Sequence, residues 1–110
     1  MGERDRRIGH NEALFREVNE RIERLTQEFQ GTNESMQILC ECGDDSCSER
    51  LEIPAVEYEE VRSDPTHFAI AHGHDAPDVE SVIDDRGGYV IVKKHPGEPA
   101  AIADELDSRA

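Results

Sequence analysis

Three cysteines stand within eight residues of one another, in the stretch Cys40-Glu41-Cys42-Gly43-Asp44-Asp45-Ser46-Cys47. Thiols at this density, on a polar, turn-prone background and with no secretory signal ahead of them, point to a metal site before a disulfide. Zinc takes four donors in a tetrahedron, and thiolate and imidazole are its common ones. Cys40, Cys42 and Cys47 supply three, and Gly43 frees backbone N–H groups to turn toward the sulfurs. For the fourth, His74 comes first, because Gly73 and Pro77 mark a turn able to return it to the cysteine loop. His72 is next, His67 and His95 trail, and His10 sits on a helix with no reason to be near.

Asp44, Asp45 or a water are the remaining candidates for the fourth position, and a water would give a catalytic geometry. No Glu or His is set apart as a general base and no His-Glu-x2-His motif is present, so a closed Cys3His structural site is favoured over an open one. Without metal the same thiols form a redox-active cluster. The acidic neighbours Glu41, Asp44 and Asp45 are expected to raise the thiol pKa and slow such oxidation. Other chemistry finds little support. Arg86-Gly87-Gly88 lacks the pattern of a phosphate-binding loop, and there is no Gly-x-Ser-x-Gly elbow. Ser46 and Ser48 read as turn formers, and Asp84-Asp85 and Glu57-Glu59-Glu60 as solvated acids.

The elements that must position the loop follow from periodicity. Residues 1–9 are polar and expected to fray. From His10 to Gln30, Phe15, Val18, Ile22, Leu25 and Phe29 fall at alternating steps of three and four, with Leu14 widening the stripe. This face is expected to pack across the protein's own sheet. Extended back to Ile8 it also reads as a heptad seam, which would dimerise or dock on a partner. Asn11 is the expected N-cap and Gly31 the C′ stop. Gly31 to Ser35 is turn material. Met36–Cys40 and Glu49–Ile53 read as strands flanking the cysteine loop, which makes the loop a hairpin tip. Pro54 opens a short helix with Ala55, Tyr58 and Val61 on its apolar side. Phe68–Ala71 is a third strand, and Val79–Ile83 with Tyr89–Lys94 a further hairpin.

The run Asn11-Glu12, Cys40-Glu41-Cys42-Gly43-x3-Cys47, Glu57-Tyr58-x2-Val61-Arg62-x-Asp64-Pro65, Gly73-His74 and Tyr89-Val90-Ile91-Val92-x-Lys94 resembles a family of small uncharacterised actinobacterial-type proteins. In that family the His is usually preceded by Pro-Gly; here the order is His72-Gly73-His74. The resemblance spans residues 10–94 and implies a shared fold without implying an activity.

Composition bounds the rest. At 110 residues, 35% hydrophobic and with no Trp, the chain has a thin core, and a bound zinc is a usual staple for such a domain. Net charge is −14, carried almost wholly by residues 31–110. That speaks against direct nucleic-acid binding and suits a protein partner with a basic surface, or simple solubility. No apolar run approaches a membrane span, so the expected setting is cytoplasmic.

The expected architecture is α+β: a long N-terminal helix on a small, mainly antiparallel sheet with a zinc-stapled cysteine hairpin. One domain over 10–95 is expected between a flexible 1–9 and a flexible acidic tail at 96–110. The leading functional expectation is a non-enzymatic adaptor or regulatory protein. Its partner could be transcription-related by analogy with other small zinc proteins, and the chain itself a monomer or a weak homodimer through the N-terminal helix. A small zinc-dependent hydrolase or ligand-binding enzyme is the alternative, and a thiol redox sensor the third. An adaptor implies four protein ligands and no pocket near the metal, whereas an enzyme implies a cleft with a carboxylate nearby.

Overall fold

The computed structural model describes residues 3–31 and 34–107, the side chains of positions 4 and 5 excepted. Its first element, α1 (Glu3–Phe29), begins about two turns earlier than the periodicity suggested, so residues 3–9 are helical where fraying was expected. Gly31, at φ +117°, ends it: the N–H groups of Gln30 and Gly31 both donate to the Thr26 carbonyl. The turn expected at 31–35 includes positions 32 and 33, which lie outside the described residues.

The face that α1 presents to the body is a different one from that expected. Buried positions are Glu12, Arg16, Asn19, Glu23 and Thr26, themselves spaced four, three, four and three apart. The apolar stripe lies to one side, with Leu14, Val18, Leu25 and Phe29 exposed and Phe15 and Ile22 half-buried. Polar contacts explain the rotation. Asn19 donates to the Leu39 carbonyl and accepts from the Leu39 N–H, holding the backbone there as a neighbouring strand would. Arg16 donates to the carbonyls of Pro65 and Ala103 and stacks its guanidinium 4.7 Å from the Phe68 ring centre. Each of these groups would be costly to bury unpaired, and each is paired. Asn11, expected as an N-cap, lies inside the helix and donates to the Gly43 carbonyl.

Two sheets, both antiparallel, replace the single one expected. Strands β1 (Ser35–Leu39) and β2 (Arg50–Pro54) pair Met36 with Ile53 and Ile38 with Leu51, and these four side chains are buried while their neighbours face water. The cysteine loop is the tip of this hairpin. Helix α2 (Ala55–Arg62) follows with Pro54 at its N-cap. Strands β3 (His67–Ile70), β4 (Glu80–Asp85) and β5 (Val90–Lys94) form the second sheet in the order β3-β5-β4. The core joins Met36, Ile38, Leu51 and Ile53 to Tyr58, Phe68, Ile70, Ile91 and Val92.

Helix α3 (Glu98–Glu105) occupies the segment expected to be a flexible tail. Ala103 is buried, and Arg62, fully buried on α2, donates to Glu20 on α1 and to Asp107 beyond α3. Positions 108–110 of that tail lie outside the described residues. Among the described residues no helix is long and apolar enough to cross a membrane.

Candidate metal centre

The alternation of β1 continues past its last residue and sets the geometry of the loop. Cys40 and Cys42 fall on one side and Glu41 on the other, where it enters the core completely. Its carboxylate accepts from the Tyr58 hydroxyl at 2.5 Å, Asn19 Nδ2 at 2.9 Å and the Ala69 N–H at 3.0 Å. The Glu41 N–H in turn donates to the Ala69 carbonyl. One side chain thus ties the loop to α1, α2 and β3 at once.

After Cys42 the chain turns at Gly43, where φ is +79°. A Cβ there would lie 2.7 Å from Glu12 Cγ and 2.8 Å from the Ile8 carbonyl oxygen, so only glycine lets the loop lie against α1. Asp44 Oδ1 accepts from the Ser46 N–H and hydroxyl, closing a turn that presents Cys47. A second turn, with the His74 N–H donating to the Ala71 carbonyl over Gly73 at φ +79°, returns His74 to the cysteines as the sequence suggested.

The ligand atoms of Cys40, Cys42, Cys47 and His74 all lie within 4.8 Å of one another. His74 Nδ1 is 3.7 Å from Cys40 Sγ and 3.6 Å from Cys47 Sγ. Bonds of ~2.3 Å to sulfur and ~2.05 Å to nitrogen in a tetrahedron place S and N about 3.6 Å apart. The spacing therefore fits an ion between them. The three thiols are free of disulfides, and Cys40 Sγ also accepts from the Ala71 N–H at 3.2 Å, a contact that suits a thiolate.

The remaining candidates are engaged elsewhere. His72 Nε2 lies 2.9 Å from Asp85, Asp44 serves its own turn, His67 faces Asp64, and His95 meets Ser81. Two of the thiols are raised as expected and one is lowered, but the cause is not the acidic side chains: Glu41 points away from the sulfurs, and the thiols act on one another. Hydrogen bonding from Cys40 brings Cys42 down to about 5 against the opposing effect of burial, with the Asp44 N–H and His74 assisting. The hydrogen bond to Cys42, then burial, pushes Cys40 up, and burial raises Cys47. A proton shared among three thiols in this way is what a divalent cation displaces on binding.

Two features went unread in the sequence. One is Glu41, although strand alternation through Cys-Glu-Cys already places it opposite the thiols. The other is a buried ion triad: Lys94 Nζ lies 2.7 Å from both Glu12 and Glu80. Glu12 and Lys94 of the triad line, together with Cys42, a cavity of about 170 Å³ between α1, α3 and the second sheet. A pocket beside the cysteines was not expected of an adaptor. No protein-family model, curated protein or solved structure matches the chain, so its function is read from this geometry.

Proposed function

We propose that the protein is a small, acidic, cytoplasmic zinc-binding adaptor whose Cys3His centre is structural. The observation that carries the metal is the fit of the His74–sulfur separations to tetrahedral zinc. Four protein donors would fill the tetrahedron and leave no position for a water, which favours a structural ion although a cavity with Glu12 in its lining lies beside Cys42. Zinc suits this donor set better than the harder divalent cations, which favour oxygen. Free thiols beside one another are at home in a reducing compartment.

The adaptor role rests on α1. Its apolar stripe, Leu14, Val18, Leu25 and Phe29, is exposed among the described residues. The chain carrying it has a net charge of −14, borne mainly by the body behind α1 rather than by α1 itself. A second copy would bring an equal charge, whereas a partner with an apolar face and a basic rim is attracted to it. The occupant proposed is therefore a basic, amphipathic protein segment.

The tests are separate for metal and partner. Zinc content is measured on the purified protein and on Cys42→Ser and His74→Ala, with melting followed in chelator. One zinc per chain, a melting point that falls on chelation, and loss of zinc in both variants are expected. Zinc kept in His74→Ala would overturn the closed site. For the partner, a synthetic basic amphipathic helix and its acidic counterpart are titrated against the protein and its Leu25→Glu/Phe29→Glu variant. Binding of the basic peptide alone, abolished in the variant, is expected. Equal binding of both peptides, or a stable dimer in sedimentation, would contradict the proposal.

A further inference from the structure

The cavity beside Cys42 is lined by apolar side chains, Ile8, Val79 and Ile102 among them, and by the polar groups of Glu12, Arg16, Cys42, Asp78 and Lys94. Glu12 is 3% exposed, and its Oε2 accepts from Lys94 at 2.7 Å. Among the described residues no donor reaches its Oε1. That oxygen is nonetheless not sealed in protein: the side-chain polar atom both sealed and unpartnered is Arg62 Nη1. Oε1 therefore opens on the cavity that Glu12 lines.

The two cations in the wall are already committed. Lys94 is held by Glu12 and Glu80, and Arg16 by the carbonyls of Pro65 and Ala103. The cavity thus offers apolar contact and a buried hydrogen-bond acceptor in Glu12, while the second carboxylate of its lining, Asp78, is exposed to solvent. Its volume of about 170 Å³ is comparable with that of an apolar cavity of about 150 Å³ that takes benzene.

We infer that this cavity is a binding site for a small, mainly apolar molecule of about benzene size bearing one O–H or N–H donor, which Glu12 Oε1 accepts. Anions are disfavoured, because a carboxylate would meet Glu12 without a free cation to offset it. This site shares Cys42 with the proposed metal centre and none of the exposed residues of the α1 stripe, and recognition by Glu12 does not depend on either reading.

The probes are phenol, benzylamine, benzene and benzoate, titrated at pH 8.5, where Glu12 is ionised, into the protein as purified with its metal, with methyl resonances of Ile8, Val79 and Ile102 followed by NMR. Phenol or benzylamine is expected to shift these resonances and to bind about tenfold more tightly than benzene, the worth of one hydrogen bond to a buried carboxylate. The stronger of the two distinguishes a neutral donor from a cationic one. Benzoate is expected not to bind. Ala13→Leu, which adds bulk to the cavity wall, should abolish the shifts while leaving the rest of the spectrum unchanged. Shifts scattered over the surface, equal affinity for benzene and phenol, or binding that survives in folded Ala13→Leu would each overturn the inference.

Discussion

Glu41 shows how much a single side chain decides. A carboxylate with no exposure is tolerated because three donors from three elements meet it. Removing it as Glu41→Ala leaves the Ala69 N–H without its acceptor and takes one bond each from the Tyr58 hydroxyl and Asn19 Nδ2, which keep only the Arg16 and Leu39 carbonyls. The expected cost in urea denaturation is about 3–5 kcal/mol, with Glu41→Gln costing less because it keeps an acceptor. A loss under 1 kcal/mol would mean the loop is anchored otherwise. Glu12 carries a pH signature. Burial lifts its carboxyl to about 7 against the opposing pull of Lys94, since one ammonium serves two carboxylates. A carboxyl raised on folding favours the folded state below its unfolded value, near 4.5, and that advantage is lost as pH rises through about 7. Glu12→Gln does not titrate. It should therefore gain on the parent protein by on the order of 2 kcal/mol between pH 4.5 and pH 8, read from denaturation of both proteins at each pH. A constant difference would refute the assignment.

At the scale of elements, α1 separates hydrophobic pattern from burial. An amphipathic reading makes Leu25 and Phe29 core residues, whereas they are 55% and 76% exposed. The double variant Leu25→Glu/Phe29→Glu should thus alter stability by less than about 1 kcal/mol in thermal or urea melts, where truncating buried apolar side chains costs several. Much of the remaining secondary structure was legible. The alternation of Met36, Ile38, Leu51 and Ile53 predicts the first hairpin with the cysteines at its tip, and Asp85-Arg86-Gly87-Gly88 predicts the second turn. What periodicity could not supply is the orientation of α1. That depends on partners distant in sequence, such as Leu39 for Asn19 and Ala103 for Arg16, which local pattern does not encode. The division into two sheets is equally non-local. Of the site, the three thiols and His74 were legible from spacing and turn residues. Glu12 and Lys94 were not, because 82 positions separate them.

For the whole molecule, polar bridges do much of the work that a larger core would do elsewhere. Arg62 joins α1 to the segment after α3 through Glu20 and Asp107, and Lys94 joins α1 to β4 through Glu12 and Glu80. The segment after Pro96 is accordingly docked rather than loose. Asp107→Ala should cost about 3 kcal/mol, since removing one partner leaves a buried guanidinium under-compensated. A flexible tail would register no loss, and hydrogen exchange of α3 amides gives an independent reading. With 35% hydrophobic residues, a metal held by Cys40, Cys42, Cys47 and His74 would tie the hairpin tip to the β3–β4 loop and add a constraint that the thin core lacks.

The centre itself is tested most directly by X-ray absorption at the zinc edge on the purified protein. The account predicts a four-coordinate shell of three sulfurs at ~2.3 Å and one imidazole nitrogen at ~2.0 Å, with no oxygen from water. A shell with a water or carboxylate oxygen in place of His74 would contradict the closed structural site and turn the protein toward hydrolytic chemistry. A protein that binds no metal would remove the centre altogether.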